Sequence, residues 1–411
     1  MNGPIKLAVP LLAALAIAAC SSGGSSSVPA AGPAGSGLGY SRIMPDWQAK
    51  GLAHPACGSP RQGEAQCLAL NIDAKMPPLN HSGQPMAKQN VSGLWPVDLQ
   101  TRYNLPSGSN GAGQIVAIVD AYDNPNVASD LAAYRSNFGL GTANFTKYNQ
   151  NGQTSNYPQG STGWGTEIDL DVDMVSAACP KCTIYLIEAN GADTGDLETA
   201  EAEAVTLGAH IVSNSWICYG SVSCVSSSYF STPGVAYLAA SGDFGYNDNG
   251  APEALASVIS VGGTNLSKSG SSYTEIAWNG AGSGCATGVT KPSWQNDSGC
   301  SYRTDSDISA EAGCSPGVAE YDTYGAGGWI TECGTSAATP LIGAVYGLAG
   351  NASSQNAAQN LWKLKKKKRK KELHDITSGS NGSCGGSYLC TAIKGYDGPT
   401  GWGTPNGIKA F

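Results

Sequence analysis

Gly334-Thr335-Ser336-Ala337-Ala338-Thr339-Pro340 opens a run of small and aliphatic residues that predicts a helix over 334–348. A serine at the start of such a helix can be approached closely by another backbone, because its neighbours carry almost no side chain. The first amides of the helix have no carbonyl partner within it and, with the helix dipole, favour developing negative charge. A helix-capping serine without chemistry has the same local look. The rest of the chain has to decide between the two.

Upstream of this segment, strand-like and helix-like stretches alternate. Residues 114–120 (QIVAIVD), 183–188, 210–216, 234–240 and 257–261 read as strands, and 126–138, 164–178 and 194–207 as helices. That order predicts an α/β fold with a mostly parallel sheet flanked by helices. The glycine- and serine-rich stretch 262–328 predicts loops and short β elements.

A nucleophilic serine needs a base. The four histidines, His54, His81, His210 and His374, lie in no base-like context. Carboxylates stand in the appropriate place instead, in Glu167-Ile168-Asp169-Leu170-Asp171-Val172-Asp173. Glu167 and Asp171 are four apart and share one helix face, whereas Asp169 and Asp173 lie off it. If buried, such a pair holds a proton between them and one member can accept the serine proton. A solvated acidic helix is the competing reading. Asp243, in Ser241-Gly242-Asp243-Phe244-Gly245, follows an apolar strand; it can donate a hydrogen bond to an oxyanion only when protonated, or be an ordinary turn aspartate.

Taken together and in this order, these motifs resemble the sedolisin, or serine-carboxyl peptidase, family over 93–411. The resemblance implies a subtilisin-like fold with loop-rich disulfide-bonded insertions. It also implies Ser336 as nucleophile, Glu167 as general base, Asp171 as its supporting acid and Asp243 as the oxyanion acid. It places Ser213-Asn214-Ser215-Trp216 beside the substrate cleft, with Trp216 as a substrate contact, and gives Asp120 a secondary role. It implies one structural Ca²⁺ held by Asp375 and Asp397 and by the carbonyls of Ile376, Ile393 and Gly395, a set of hard oxygen donors. Protein or peptide substrates, no nucleic acid and a monomer complete the expectation. The family's long folded prodomain has no counterpart of that length before Gly93, so 57–98 is left open as a pro-segment, an extension or a disulfide-clipped wrap.

Composition agrees with an exported enzyme. The 411 residues include 55 glycines and only 13% charged residues, with a formal charge of −8. Eight of the 23 basic residues fall within 363–371, so the remaining sequence has 15 bases against 31 acids. The run Lys365-Lys366-Lys367-Lys368-Arg369-Lys370-Lys371 reads as a solvated loop or a locally altered reading frame, against a nuclear signal or an anionic-surface patch. Residues 1–20 read as a lipoprotein-type leader with Cys20 as the modified residue, against an ordinary cleaved signal peptide. Residues 21–92 read as tether and short extension. The expected location is the cell envelope or surface, otherwise secretion. Setting Cys20 aside leaves twelve cysteines. Disulfides are expected, with local pairs such as Cys57 and Cys67 plausible and connectivity open, and with a redox or metal role for Cys179-Pro-Lys-Cys182 as the alternative.

Four functions therefore compete: an acid-active endopeptidase, a tripeptidyl aminopeptidase of the same family, a catalytically silent surface binding protein, and an anchored adhesin supported by the leader alone.

Overall fold

Ile115–Ala121 (β1) becomes a central strand because helices bury both of its faces. Val116 and Ile118 enter one core cluster, and Ala117 and Val119 enter the other, as the two-residue period of a strand requires. In the computed structural model the described residues are 1, 3, 44–73, 91–354 and 356–411. The chain divides into units Met1–Ser36 and Gly37–Phe411, and the elements below belong to the second. The expected leader with Cys20, most of the tether, and His81 lie outside the described residues.

Chain order continues with Asn144–Asn149 (β2), Thr183–Ala189 (β3), Ile211–Asn214 (β4), Ala236–Ala240 (β5), Val258–Ser269 (β6), Ser272–Ala277 (β7) and Ile308–Glu311 (β8). The sheet order is β7-β6-β5-β4-β1-β3-β2, with β8 also paired to β6. All these pairings are parallel except β6 with β7. Helices Val127–Phe138 (α1), Thr162–Ala178 (α2) and Thr335–Ala349 (α4) contribute to the first core cluster, and Thr194–Thr206 (α3) to the second. The small residues of α4 let it settle directly on the sheet. A Cβ on Gly347 would lie 2.6 Å from Cys182 Sγ and 3.3 Å from Val116, so no larger residue fits there without a shift.

Three expectations need correction. The strand expected over 210–216 breaks at Ser215. Its second part, Trp216–Tyr219, leaves the main sheet and pairs antiparallel with Gln66–Cys67 and Gly250–Ala251. The strand β2 (NFTKYN) was not anticipated, because as a mostly half-exposed edge it lacks an apolar run. The basic run is not a loop: Lys366–Glu372 is a short helix. Arg369 secures it by stacking over the Trp402 ring, 3.2 Å from its centroid, and donating to the carbonyls of Trp362 and Leu364.

Among the described residues six disulfides join Cys57–Cys67, Cys179–Cys182, Cys218–Cys224, Cys285–Cys300, Cys314–Cys333 and Cys384–Cys390. The Cys179-Pro-Lys-Cys182 motif is thus a cross-link in this structure. The first disulfide closes a loop in the segment 53–73, here called the strap. Ala53–Pro55 pairs back onto Leu70–Ile72, and Leu70 and Asn71 pair with Cys333 and Glu332, immediately before the serine helix.

Candidate active site

The site forms where the N-terminus of α4, the middle of α2 and the C-terminal ends of β4 and β5 meet. Gly334 caps α4 with φ +114°, a conformation that favours glycine. A Cβ there would lie 2.3 Å from the carbonyl oxygen of Leu68 and 2.9 Å from Asp243 Oδ2. Pro340, one turn into α4, has no N–H for the carbonyl of Ser336. That carbonyl instead lies 3.4 Å from the hydroxyl of Ser215. Ser336 Oγ in turn donates to the carbonyl of Ser215 at 3.4 Å.

Glu167 and Asp171 project from α2 and are fully buried, which rules out the solvated acidic helix. Glu167 Oε2 accepts the amides of Leu68 and Ala69 of the strap, both at 2.7 Å. Burial pushes the Glu167 carboxyl up to about 8, helped by the charge of Asp120; the Ser336 hydroxyl and the two strap amides act the other way. Asp171 accepts from the Ser215 hydroxyl at 2.7 Å. Its pKa is raised by burial, then by Asp120 and Glu167. Glu167 Oε1 and Asp171 Oδ2 are buried with no other hydrogen-bond partner, an arrangement that one proton held by the pair relieves.

Asp120 belongs to this group more closely than its sequence context suggested. It ends the apolar part of β1, is fully buried, and makes no hydrogen bond to a described residue through either carboxylate oxygen. Burial raises its pKa to about 8. The missed signal was position: the C-terminal end of a parallel strand points at the crevice where ligands bind in open α/β sheets.

Asp243 follows β5 and faces the start of α4. Its Oδ1 accepts the amide and the hydroxyl of Thr335, each at 2.8 Å, while Oδ2 is buried and has no hydrogen-bond partner. Burial pushes its pKa well up, and the two Thr335 donors pull it back. A protonated Asp243 therefore has a free donor on Oδ2, which, like the carbonyl oxygen of Leu68, borders the place a Cβ on Gly334 would take.

Trp216 corrects another expectation. Its indole is buried, donates to the carbonyl of Val119 at 3.0 Å and packs against Phe230, so it is not an exposed substrate contact. The described histidines bond elsewhere: His54 to Asp73, His210 to the carbonyl of Gly234 and His374 to that of Arg102.

Two acidic places bear on metals. At the C-terminal loops, Asp375 accepts the amide of Gly395 at 2.9 Å, and Asp397 accepts those of Ile393 and Thr400, each at 3.0 Å. The carboxylates thus gather the loop that carries Ile376, Ile393 and Gly395, and this oxygen-donor chemistry fits a hard divalent cation. A second cluster, not foreseen, joins Asp130, Asp169 and Asp322, whose ligand oxygens lie within 4.8 Å of one another. All three are buried; Thr323, Asn124 and Gly325 are among their donors, while Asp169 Oδ1 has no hydrogen-bond partner among the described residues.

Comparison with known proteins places these features in context. No protein-family model matches the chain. Kumamolisin from Bacillus sp. (strain MN-32) is 28% identical over 360 residues, covering 76% of this chain and 62% of its own length. Sedolisin from Pseudomonas sp. (strain 101) is 26% identical over 368 residues, covering 79% of this chain and 61% of its own. The chain thus spans about three fifths of the length of these relatives. Among solved structures, the Pseudomonas serine-carboxyl proteinase complexed with two molecules of pseudo-iodotyrostatin superposes with a TM-score of 0.67 at 25% identity, covering 77% of this chain and 96% of that one. A psychrophilic protease, S41, shares the fold with a TM-score of 0.50 at 19% identity, over 78% of this chain and 99% of its own.

Proposed function

The chain belongs to the sedolisin family of serine-carboxyl peptidases, and from that premise we propose that it is an acid-active endopeptidase working through an acyl-enzyme on Ser336. One observation carries the endopeptidase reading. The strap runs past the cap of the serine helix as an extended peptide, antiparallel to Trp216–Tyr219, with Leu68 donating to the carbonyl of Ser215. It continues in both directions. Ala65 still bonds Ala192 on one side, and Leu70 pairs with Cys333 on the other. A cleft that accepts more than three residues before the reacting bond suits an endopeptidase better than a tripeptidyl aminopeptidase, which must be closed beyond the third.

In this reading Ser336 Oγ attacks the carbonyl carbon of the bound peptide and passes its proton to Glu167. Asp171 and Asp120 keep that carboxyl basic enough to take the proton, because a buried acid crowded by like charge binds protons more tightly. The tetrahedral oxyanion accepts hydrogen bonds from protonated Asp243 and from the first amides of α4; one such donor contributes roughly 10²–10³ in rate. The proton on Glu167 then goes to the departing amine, and water attacks the acyl-enzyme by the same route. Proton transfer needs Glu167 ionised while Asp243 stays protonated, so the rate falls once rising pH strips the Asp243 proton.

A divalent cation at Asp375 and Asp397, with the carbonyls of Ile376, Ile393 and Gly395, would hold the C-terminal loops in place; calcium suits this donor set. Six disulfides support a working place outside the reducing cytoplasm, with Cys20 as the anchor if lipidated.

The test is casein hydrolysis from about pH 2 to about pH 8, spanning the carboxyl range, with the full chain, Ser336→Ala and Glu167→Ala. Acid-limited hydrolysis lost in both variants supports the reading. Hydrolysis that persists in Ser336→Ala removes the mechanism, and an inert parent chain points to the binding protein.

A further inference from the structure

The strap shows how a peptide bond sits between Glu167 and the cap of the serine helix. The oxygen of the Leu68–Ala69 peptide group and Asp243 Oδ2 crowd the same point beside Gly334, and its nitrogen donates to Glu167. An attacked bond needs this orientation, with its oxygen toward the oxyanion donor and its leaving nitrogen on the acid that must protonate it. Register fixes the neighbours as well, since Cys67 opposes Trp216 and Gln66 opposes Ile217. Leu68 therefore stands where the residue on the acyl side of a cleaved bond would stand.

Its side chain is 2% exposed and packs with Ile217 and Ala240, with Tyr219 closing the edge. These walls cannot move far. Ala240 ends a strand in the interior of the sheet. Ile217 is wedged against Gly250, where an added Cβ would meet Ile217 Cγ1 at 2.7 Å. The walls named here are apolar, and the buried carboxylate of Asp248 lies behind one of them, accepting the Tyr219 hydroxyl at 3.5 Å. A lysine or aspartate placed there would lose its hydration among apolar walls, glycine or alanine would leave a void, and a large aromatic would press on fixed walls.

We propose that the pocket filled by Leu68 selects the residue on the acyl side of the scissile bond, and that it takes a leucine-sized aliphatic side chain. This deepens the peptidase reading above and rests on it. Ile217 and Ala240 are then the specificity-determining residues, and neither touches the reacting atoms.

The test uses peptides that copy residues 64–72 with serine for cysteine, Glu-Ala-Gln-Ser-X-Ala-Leu-Asn-Ile, where X is Leu, Met, Phe, Ala, Lys or Asp. They are offered at acid pH to the full chain, to Leu68→Asp and to Ser336→Ala, with casein alongside. Leu68→Asp puts a charge where the strap now seats an apolar group and so loosens the strap from the cleft. The expected result is cleavage after X, with kcat/KM for Leu at least about tenfold above that for Ala, Lys or Asp. Leu68→Asp should cut the Leu peptide faster than the parent chain with the same order of preference, and Ile217→Ala should shift that preference from Leu toward Phe. Casein and peptide cleavage with no preference at X, or at another bond as read by mass spectrometry, overturns the proposal and leaves the peptidase standing. Absence of cleavage of casein and of every peptide by both the parent chain and Leu68→Asp overturns the peptidase reading, and the proposal with it.

Discussion

Helix α2 carries two carboxylate pairs of identical spacing on opposite faces. Glu167 and Asp171 face the serine, the strap amides and Asp120. Asp169 and Asp173 face the other way, where Asn124 and the amide of Tyr321 bond them beside Asp130, Glu320 and Asp322. All four are buried and all four have raised pKa values, with burial the largest cause. Neither burial nor a shifted pKa therefore separates a catalytic carboxylate from a structural one here. What differs is the opposite wall: the Ser336 helix and the strap on one side, and on the other further carboxylates, with one oxygen each of Asp169 and Asp173 bonded and the other without a partner among the described residues.

The sharpest way to break this comparison is substitution across the two faces. Glu167→Gln and Ser336→Ala should each lower kcat/KM by about 10³ or more. Asp169→Asn should change it less than about tenfold, because it touches no reacting group. An Asp169→Asn loss equal to that of Glu167→Gln would erase the distinction. Asp243→Asn comes next: an asparagine keeps an acceptor for Thr335 and carries a donor at every pH. Peak activity should fall roughly tenfold or more, while the decline with rising pH moves upward by about one unit or disappears. An unchanged decline would separate Asp243 from the pH limit.

Stability tests the structural face. Glu201 and Asp120 are held near 8 and Glu188 near 9 by burial, and Glu320 and Glu332 are also pushed well up. Unfolded carboxyls titrate at about 4. Between these limits the folded chain binds more protons than the unfolded one, so stability is complete below about pH 4 and falls as pH rises through about 8–9. The melting temperature should drop on the order of 10 °C across that window, and Glu320→Gln should flatten the drop, since both Glu320 oxygens are buried without partners. A melting temperature that climbs from acid to neutral would reverse the sign and refute this account. The smallest effect is expected from calcium removal, a fall of a few degrees. Arg369 already acts electrostatically on Asp375 and supplies part of the countercharge there.

Much of the fold was legible because its strands and helices announce themselves locally. The apolar run at Ile115–Ala121, the helix at Thr162–Ala178 and the small-residue helix after Gly334 appear close to where periodicity puts them. The polar edge strand Asn144–Asn149 and the break at Ser215 did not, since pairing rather than propensity makes them. At the site, Glu167, Asp171, Asp243 and Ser336 were legible from residue type and spacing, and the structure brings them to one place. Asp120 was undervalued and Trp216 misread, because which way a side chain points from a strand end depends on what the strand packs against.

By itself the sequence determined the inventory: a serine opening a small-residue helix, no histidine in a base-like setting, and carboxylates four apart on a helix. Local chemistry sets these, and they need no neighbours. Only the tertiary structure decided which face of α2 meets the serine, that Asp120 joins it, and that Leu68 lies beside the cap of the serine helix in an apolar pocket. Those outcomes depend on segments distant in the chain being brought together by the sheet, the disulfides and burial, which no local pattern encodes.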